Sequence, residues 1–193
     1  MGSTFYIEHL GCAKNRVDAE IMTQELVGSG WVPVSDPDAA QVIMVNSCGF
    51  IEPAKRESID TLLSLRKRFP DKRIILTGCL AERYGAELVN SLPEADTVFG
   101  NRELSRIVDH VDHDRIRHVG PPPDGGLAST ARPREAAVVD GAGYLRIAEG
   151  CDNRCAFCAI PLIRGPLRSR SIGAVVADAE TIDRKSTRLN SSH

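Results

Sequence analysis

Six cysteines are the residues of this chain with the clearest chemical potential, and three of them lie on one short stretch. Cys151, Cys155 and Cys158 form a CxxxCxxC pattern. Cubane iron–sulfur clusters normally take four thiolates, so three ligands leave one iron free to bind a small molecule. Zinc sites usually pair cysteines as CxxC or include histidine, and the nearest histidine here is His118. The pattern therefore favours an iron–sulfur cluster over zinc.

The other three cysteines, Cys12, Cys48 and Cys79, are far apart in sequence. Each ends a short apolar run of strand-forming residues, and each has a glycine beside it that permits a tight turn and close approach of a bulky group. In a parallel sheet, the loops that follow the strands gather at one edge. We therefore expect these thiols to line one pocket. A second cluster is the favoured interpretation, and three buried free cysteines acting as small hydrophobic residues are the alternative.

The segments between these cysteines have the length of strand–helix units, about 30 residues each. Short apolar runs predict strands, and apolar residues at helical spacing predict helices. The strands are predicted over 5–12, 41–48, 73–79 and 96–99, and the helices over 15–27, 53–69 and 102–110. Residues 1–120 are thus expected to form an α/β domain with an open, mostly parallel sheet.

A segment rich in proline and glycine predicts a linker over 121–142. The region 143–182 is expected to begin a second domain, with a strand over 143–148, the loop that carries CxxxCxxC, and a helix over 172–182. Residues 183–193 lack an apolar pattern. We expect them to be a non-native tail appended to a truncated chain, and a genuine polar C-terminus is the alternative.

Composition limits the function classes. The chain has 24 Lys and Arg against 26 Asp and Glu, a net charge of −2, which argues against a protein that coats nucleic acid. No apolar stretch approaches the roughly 20 residues of a membrane span, and the N-terminus has no signal-peptide pattern. We therefore predict a cytoplasmic protein with no membrane association. In that reducing compartment, clustered cysteines are more often metal ligands or catalytic groups than disulfides.

Arginines surround the compact cysteine motif. They outnumber acidic residues between 146 and 170 and are Arg146, Arg154, Arg164, Arg168 and Arg170. Such a face could receive carboxylates or ribosomal phosphate, and a solvated surface is the alternative. Phe157, between the last two cysteines, either packs on a ligand ring or fills the core.

Four segments resemble those of a known family. CDNRCAFC resembles the signature of radical S-adenosylmethionine (SAM) enzymes, while LGCAKNRVDAE, VNSCGFIEPAKRES and LTGCLAERYGAEL resemble the three cysteine segments of the methylthiotransferase N-terminal domain. Ala13, Lys14 and Asn15 stand where the tRNA-modifying branch tends to have glutamine, methionine and asparagine. The GCAKN and SCGFI segments are similar instead to the branch that modifies a ribosomal protein.

This resemblance implies two 4Fe–4S clusters: one on Cys151, Cys155 and Cys158 that binds SAM, with Phe157 as a candidate SAM contact, and an auxiliary one on Cys12, Cys48 and Cys79. It implies a transferase that adds a β-methylthio group to an aspartate of small-subunit ribosomal protein S-twelve. The implied partners are that protein, an electron donor such as flavodoxin or ferredoxin, and a sulfur donor. The alternatives are a tRNA-modifying methylthiotransferase, a non-catalytic iron–sulfur protein and a zinc-binding interaction module.

The family's SAM domain is a partial (β/α) barrel of about six strands, followed by a small β-barrel. This chain holds sequence for only the first strand–loop–helix unit of that barrel. We therefore expect the fragment to be inactive, and its second half to expose apolar surface and aggregate.

Overall fold

The structure is a computed structural model that describes residues 2–102, 104–111, 117–118 and 143–190. The chain forms two compact units, Met1–Pro122 and Pro123–His193. The predicted linker, 121–142, lies outside the described residues.

The first unit is built on a six-stranded sheet in which every neighbouring pair is parallel. Its strands are β1 Thr4–His9, β2 Val32–Pro33, β3 Val42–Ser47, β4 Arg73–Gly78, β5 Thr97–Phe99 and β6 Arg117–His118. The spatial order is β2-β1-β3-β4-β5-β6. The chain therefore goes from β1 to a neighbour on one side and then crosses to β3 on the other. Such a reversal of strand order creates the crevice in which open α/β sheets bind ligands.

Helices cover both faces of this sheet. They are α1 Ala13–Gly28, α2 Glu52–Arg68, α3 Cys79–Ser91 and α4 Ile107–Val111. Residues of α1 and α4 pack in one buried apolar cluster, and residues of α2 and α3 pack in another. Successive β3 side chains join opposite clusters, Ile43 with α2 and α3 and Met44 with α1 and α4. Helices α1 and α2 thus lie on opposite faces, which leaves the sheet edge between β1 and β3 open to a ligand.

The predicted α/β class and parallel sheet are confirmed, and the four predicted strands are present. The helix predicted over 102–110 is wrong in extent, because the chain forms a 3-10 turn at Leu104–Arg106 and then only the short α4. The two-residue strands β2 and β6 were not predicted. Strand β2 contains Pro33, which weakens any strand pattern, and it is an edge strand, where proline is tolerated.

The second unit contains a two-stranded antiparallel ladder, β7 Ala148–Glu149 with β8 Arg168–Ser169, and two helices, α5 Ile160–Arg164 and α6 Ile172–Asn190. The strand predicted over 143–148 is wrong, because residues 143–147 form no ladder and β7 begins only at Ala148. The helix predicted from 172 is confirmed at its start. It does not end near 182 as the polar pattern suggested, because no glycine or proline follows to stop it.

Large apolar side chains remain exposed in the second unit, as predicted. The most exposed are Phe157, Ile172, Ile147 and Leu162. The aggregation expected from them stays a prediction. Across the described part of the chain, no helix has the length and hydropathy needed to cross a membrane.

Gly78 forms the turn between the end of β4 and Cys79, the first residue of α3. It has a φ of +93°, and a Cβ there would lie 2.5 Å from the carbonyl oxygen of Ser47 on β3. We expect Gly78→Ala to lower the free energy of unfolding by about 2–3 kcal/mol, because it adds backbone strain to a clash. Urea denaturation measures this. Gly28→Ala is the matched control, since a Cβ there meets nothing within 4 Å inside α1, and it should be neutral or stabilising. Equal stability of the two variants would show that position 78 does not require glycine.

Candidate functional site

The first cysteine set lies where the strand order reverses. Cys12 follows β1 and is the residue immediately before α1, Cys48 follows β3, and Cys79 follows β4 as the first residue of α3. Because all these strands are parallel, their carboxyl ends share one edge. The three cysteine segments therefore meet at this edge, as predicted from the sequence.

The segments approach one another closely at two glycines. A Cβ on Gly11 would lie 3.5 Å from the Cβ of Cys48, and a Cβ on Gly49 would lie 2.7 Å from the carbonyl carbon of Cys79. A side chain at position 49 would therefore collide with backbone atoms. Small residues at these positions let the cysteine loops pack together.

Asn15 links two of the three thiols. Its Oδ1 accepts hydrogen bonds from Cys79 Sγ at 3.2 Å and from Cys12 Sγ at 3.9 Å. Its Nδ2 donates to the carbonyl oxygen of Ser47 at 2.8 Å, and Asn46 Nδ2 donates to the Asn15 carbonyl oxygen at 2.7 Å. Asn15 is fully buried, and its bonds to Cys79, Ser47 and Asn46 are buried as well, whereas its bond to Cys12 is partly exposed. They fix both sulfurs around one oxygen atom.

The remaining cysteine is held through its backbone. The Cys48 amide donates to Ser58 Oγ at 3.0 Å, and that hydroxyl donates to the carbonyl oxygen of Ala54 at 2.8 Å within α2. Helix α2 therefore positions the Cys48 loop, while Asn15 of α1 positions the other two cysteines.

Accessibility and charge differ across the site. Cys12 is exposed, Cys48 is half-buried and Cys79 is buried. Cys12 and Cys79 both lie at helix N-termini, whose partial positive charge attracts anionic groups. At the end of β1, burial lowers the pKa of His9, and the positive charge of Arg16 lowers it further.

The donor set of this site is three cysteine thiols, which is the donor chemistry of iron–sulfur clusters. Within the described ranges, no three His, Cys, Asp or Glu side chains are grouped closely enough to bind one metal ion. The cysteines of a cubane cluster each bind a different iron, so they surround a larger body. The site suits a group of that size, because it has three cysteine sulfurs and two helix N-termini. Gly11 and Gly49 add no side chains to the cysteine loops.

The second cysteine set lies on a compact loop between β7 and α5. The Cys151 amide donates to the carbonyl oxygen of Gly165, and the Cys158 amide donates to that of Cys155, both at 3.1 Å. Asp152 Oδ1 accepts from the Leu167 amide at 2.9 Å, which joins the loop to the chain before β8. Cys155 is exposed, while Cys151 and Cys158 are half-buried. The loop thus presents its cysteines on a hydrogen-bonded turn.

The predicted arginine-rich ligand face is wrong for most of its members, which form internal pairs. Arg146 Nη1 lies 3.3 Å from Glu149 Oε2, and Arg164 Nε lies 3.7 Å from Glu149 Oε1. Arg170 Nη1 lies 2.6 Å from Asp178 Oδ2. Because Glu149, Arg164 and Asp178 are buried, each arginine neutralises a carboxylate that burial would otherwise penalise.

The other candidates of this region divide between packing and exposure. Arg168 Nη2 donates to the Arg164 carbonyl oxygen at 3.3 Å, so it too makes an internal bond. Arg154 is exposed. Phe157 is 90% exposed, so its ring is packed in no core formed by the described residues and is accessible to a ligand there.

The fold and the cysteine arrangement define the class of protein. Residues 4–100 match the family described as "Uncharacterized protein family UPF0004", and the chain belongs to this family. Its relatives include ribosomal protein uS12 methylthiotransferases RimO. That of Treponema denticola is 44% identical over 185 residues, covering 91% of this chain and 39% of the relative. That of Anaeromyxobacter sp. strain K is 42% identical over 193 residues, covering 97% and 40%.

The chain is therefore a homologue of RimO-type methylthiotransferases, which confirms the family predicted from the cysteine segments. The relative from Nostoc punctiforme agrees, at 41% identity over 183 residues, 93% of this chain and 41% of the relative. The chain spans about two fifths of the length of these relatives.

Several residues around the first site were not predicted. Asn46, Ser58 and Asn101 contact cysteine segments or the cysteines themselves. Asn46 and Ser58 lie within the segment around Cys48, but nothing in its pattern marks them as contacts of the site, and Asn101 lies outside all the cysteine segments. Asn101 follows β5, however, and the rule that loops after parallel strands share one edge would have placed it beside the cysteines.

Asn15 supports a test that needs no cofactor. Asn15→Ala removes the acceptor shared by Cys12 and Cys79 and leaves the Ser47 carbonyl oxygen without this donor. We expect the free energy of unfolding to fall by about 2 kcal/mol. Alkylation of metal-free protein by iodoacetamide, followed by peptide mass spectrometry, should show faster modification of Cys79, whereas the exposed Cys12 should change little. Asn90→Ala, at an exposed position of α3, is the control. Unchanged protection of Cys79 would refute the role of Asn15.

Proposed function

We propose that this chain is the cluster-binding part of a radical SAM methylthiotransferase that acts on an aspartate of ribosomal protein uS12. The observation that carries the proposal is the meeting of Cys12, Cys48 and Cys79 at the reversal of strand order, in a homologue of RimO. Because the chain spans about two fifths of such relatives, the activity, the substrate and the partners belong to the proposal.

The two cysteine sets would hold different clusters. Cys12, Cys48 and Cys79 are proposed as ligands of an auxiliary 4Fe–4S cluster, and Cys151, Cys155 and Cys158 as ligands of the 4Fe–4S cluster that binds SAM. When bound, these groups supply reductive radical chemistry, a methyl group and a site for sulfur. An electron donor such as flavodoxin or ferredoxin and a sulfur donor complete the set of proposed partners.

The chain's own residues hold these groups in place. At the first site, Asn15 and Ser58 fix the cysteine loops before any cluster binds, so less ordering is needed on assembly. At the second, Glu149 with Arg146 and Arg164 forms a buried ionic group next to the cysteine loop in sequence. The exposed ring of Phe157 is the proposed SAM contact, because an aromatic face can pack against the nucleoside.

Anaerobic reconstitution with iron and sulfide tests the two cluster assignments. We expect about eight irons per chain, four for each cluster. The triple variants C12S/C48S/C79S and C151S/C155S/C158S are matched controls, and each should retain about four. Stoichiometric zinc with no iron after anaerobic purification would contradict the assignments and support a zinc-binding module.

SAM separates the proposed enzyme from an iron–sulfur carrier. Addition of SAM should change the electron paramagnetic resonance spectrum of the reduced protein and of the C12S/C48S/C79S variant, but not that of C151S/C155S/C158S. A spectrum that SAM leaves unchanged in every form would favour a non-catalytic carrier. We expect no methylthio transfer to uS12 from the 193-residue chain alone, and mass spectrometry of uS12 that showed such transfer would contradict this.

A further inference from the structure

One buried polar side chain approaches a cysteine of the first site from a different part of the sheet. Asn101 lies just after β5, and its Nδ2 donates to Cys79 Sγ at 3.5 Å. Asn101 is 7% exposed, and among the described residues its Oδ1 has no hydrogen-bond partner. The Asn101 side chain therefore makes a single polar contact in this part of the structure, and that contact is with a cysteine sulfur.

Helix α3 holds Asn101 in this position. Glu82, one helical turn after Cys79, accepts a hydrogen bond from the Asn101 amide through Oε2 at 3.0 Å. Its Oε1 lies 2.8 Å from Nε of Arg102, and the Glu82 side chain is almost fully buried. A Cβ at Gly100 would collide with the same carboxylate. The segment 100–102 is thus fastened to the helix that begins with Cys79.

In the hydrogen bond between Asn101 and Cys79, the sulfur is the acceptor, as a metal-bound thiolate must be. The bond between Cys79 Sγ and Asn15 Oδ1 requires a proton on the sulfur, so it belongs to the metal-free protein. The Asn101 amide, in contrast, can donate to a sulfur that has lost its proton. Of the two asparagines, Asn101 is therefore the one whose hydrogen bond survives when Cys79 binds a metal.

We propose that Asn101 raises the reduction potential of the cluster held by Cys12, Cys48 and Cys79, through this hydrogen bond to the Cys79 sulfur. The inference rests on the proposed function. Reduction adds negative charge to a cluster and its thiolates, and a hydrogen bond to a ligand sulfur stabilises that charge. Because Asn101 and Cys79 are both buried, solvent screens the interaction weakly. Asn101 is a positioning and tuning residue, separate from the ligands.

The test measures the midpoint potential of the first cluster in the full chain carrying C151S/C155S/C158S. Asn101→Leu keeps a similar volume without a donor, and Asn101→Asp keeps the shape but replaces the donor with an acceptor. Both keep the backbone amide that binds Glu82. A redox titration followed by electron paramagnetic resonance gives the potential, and iron analysis gives the occupancy. Asn90→Ala, at an exposed position of the helix that begins with Cys79, is the control.

We expect Asn101→Leu to reduce the equilibrium constant for cluster reduction about tenfold, a fall of about 59 mV for a one-electron couple. Asn101→Asp should lower the potential further, and Asn90→Ala should match the parent. Full iron content with an unchanged potential in Asn101→Leu would overturn the inference alone. Loss of the cluster in both Asn101 variants would also overturn it and assign Asn101 to cluster retention. A parent protein that binds no cluster would refute the proposed function as well.

Discussion

The reversal of strand order between β1 and β3 is the constraint on which the site depends. It sends α1 and α2 to opposite faces of the sheet and leaves a crevice at the carboxyl ends of adjacent strands. Cys12 and Cys48 follow the two strands that flank this crevice, and Cys79 follows the next strand. A strand order without this reversal would cover the same edge with a helix, and the three thiols would have no common space.

Within that crevice, hydrogen bonds rather than apolar contacts decide where the sulfurs lie. Asn15 joins the loops after β1, β3 and β4, and Asn101 brings in the loop after β5. Buried amides of this kind are costly unless they are paired, so each restricts the backbone around it. In the second unit, buried ion pairs restrict the backbone instead. Glu149 and Asp178 bind arginines that the sequence pattern assigns to a ligand-binding face.

The sequence was sufficient for the fold class, the four main strands and the grouping of cysteines, because buried parallel strands give continuous apolar runs and their ends must share an edge. It was insufficient for β2, whose two residues carry no pattern, and for the end of α6, where polar residues continue a helix. The sequence also assigned Arg164 to a ligand-binding face, because the sequence alone does not show that Arg164 forms an ion pair with Glu149. Asn101 needed the three-dimensional sheet, because its partner Cys79 is 22 residues away.

The most direct test of this account is Mössbauer spectroscopy of the C151S/C155S/C158S chain reconstituted anaerobically with iron-57 and sulfide. A single 4Fe–4S cluster per chain is predicted, and further substitution of Cys12, Cys48 or Cys79 by serine should abolish or degrade it. If the chain instead binds no cluster, or its cluster is unchanged by all three serine substitutions, the crevice between β1 and β3 is not an iron–sulfur site.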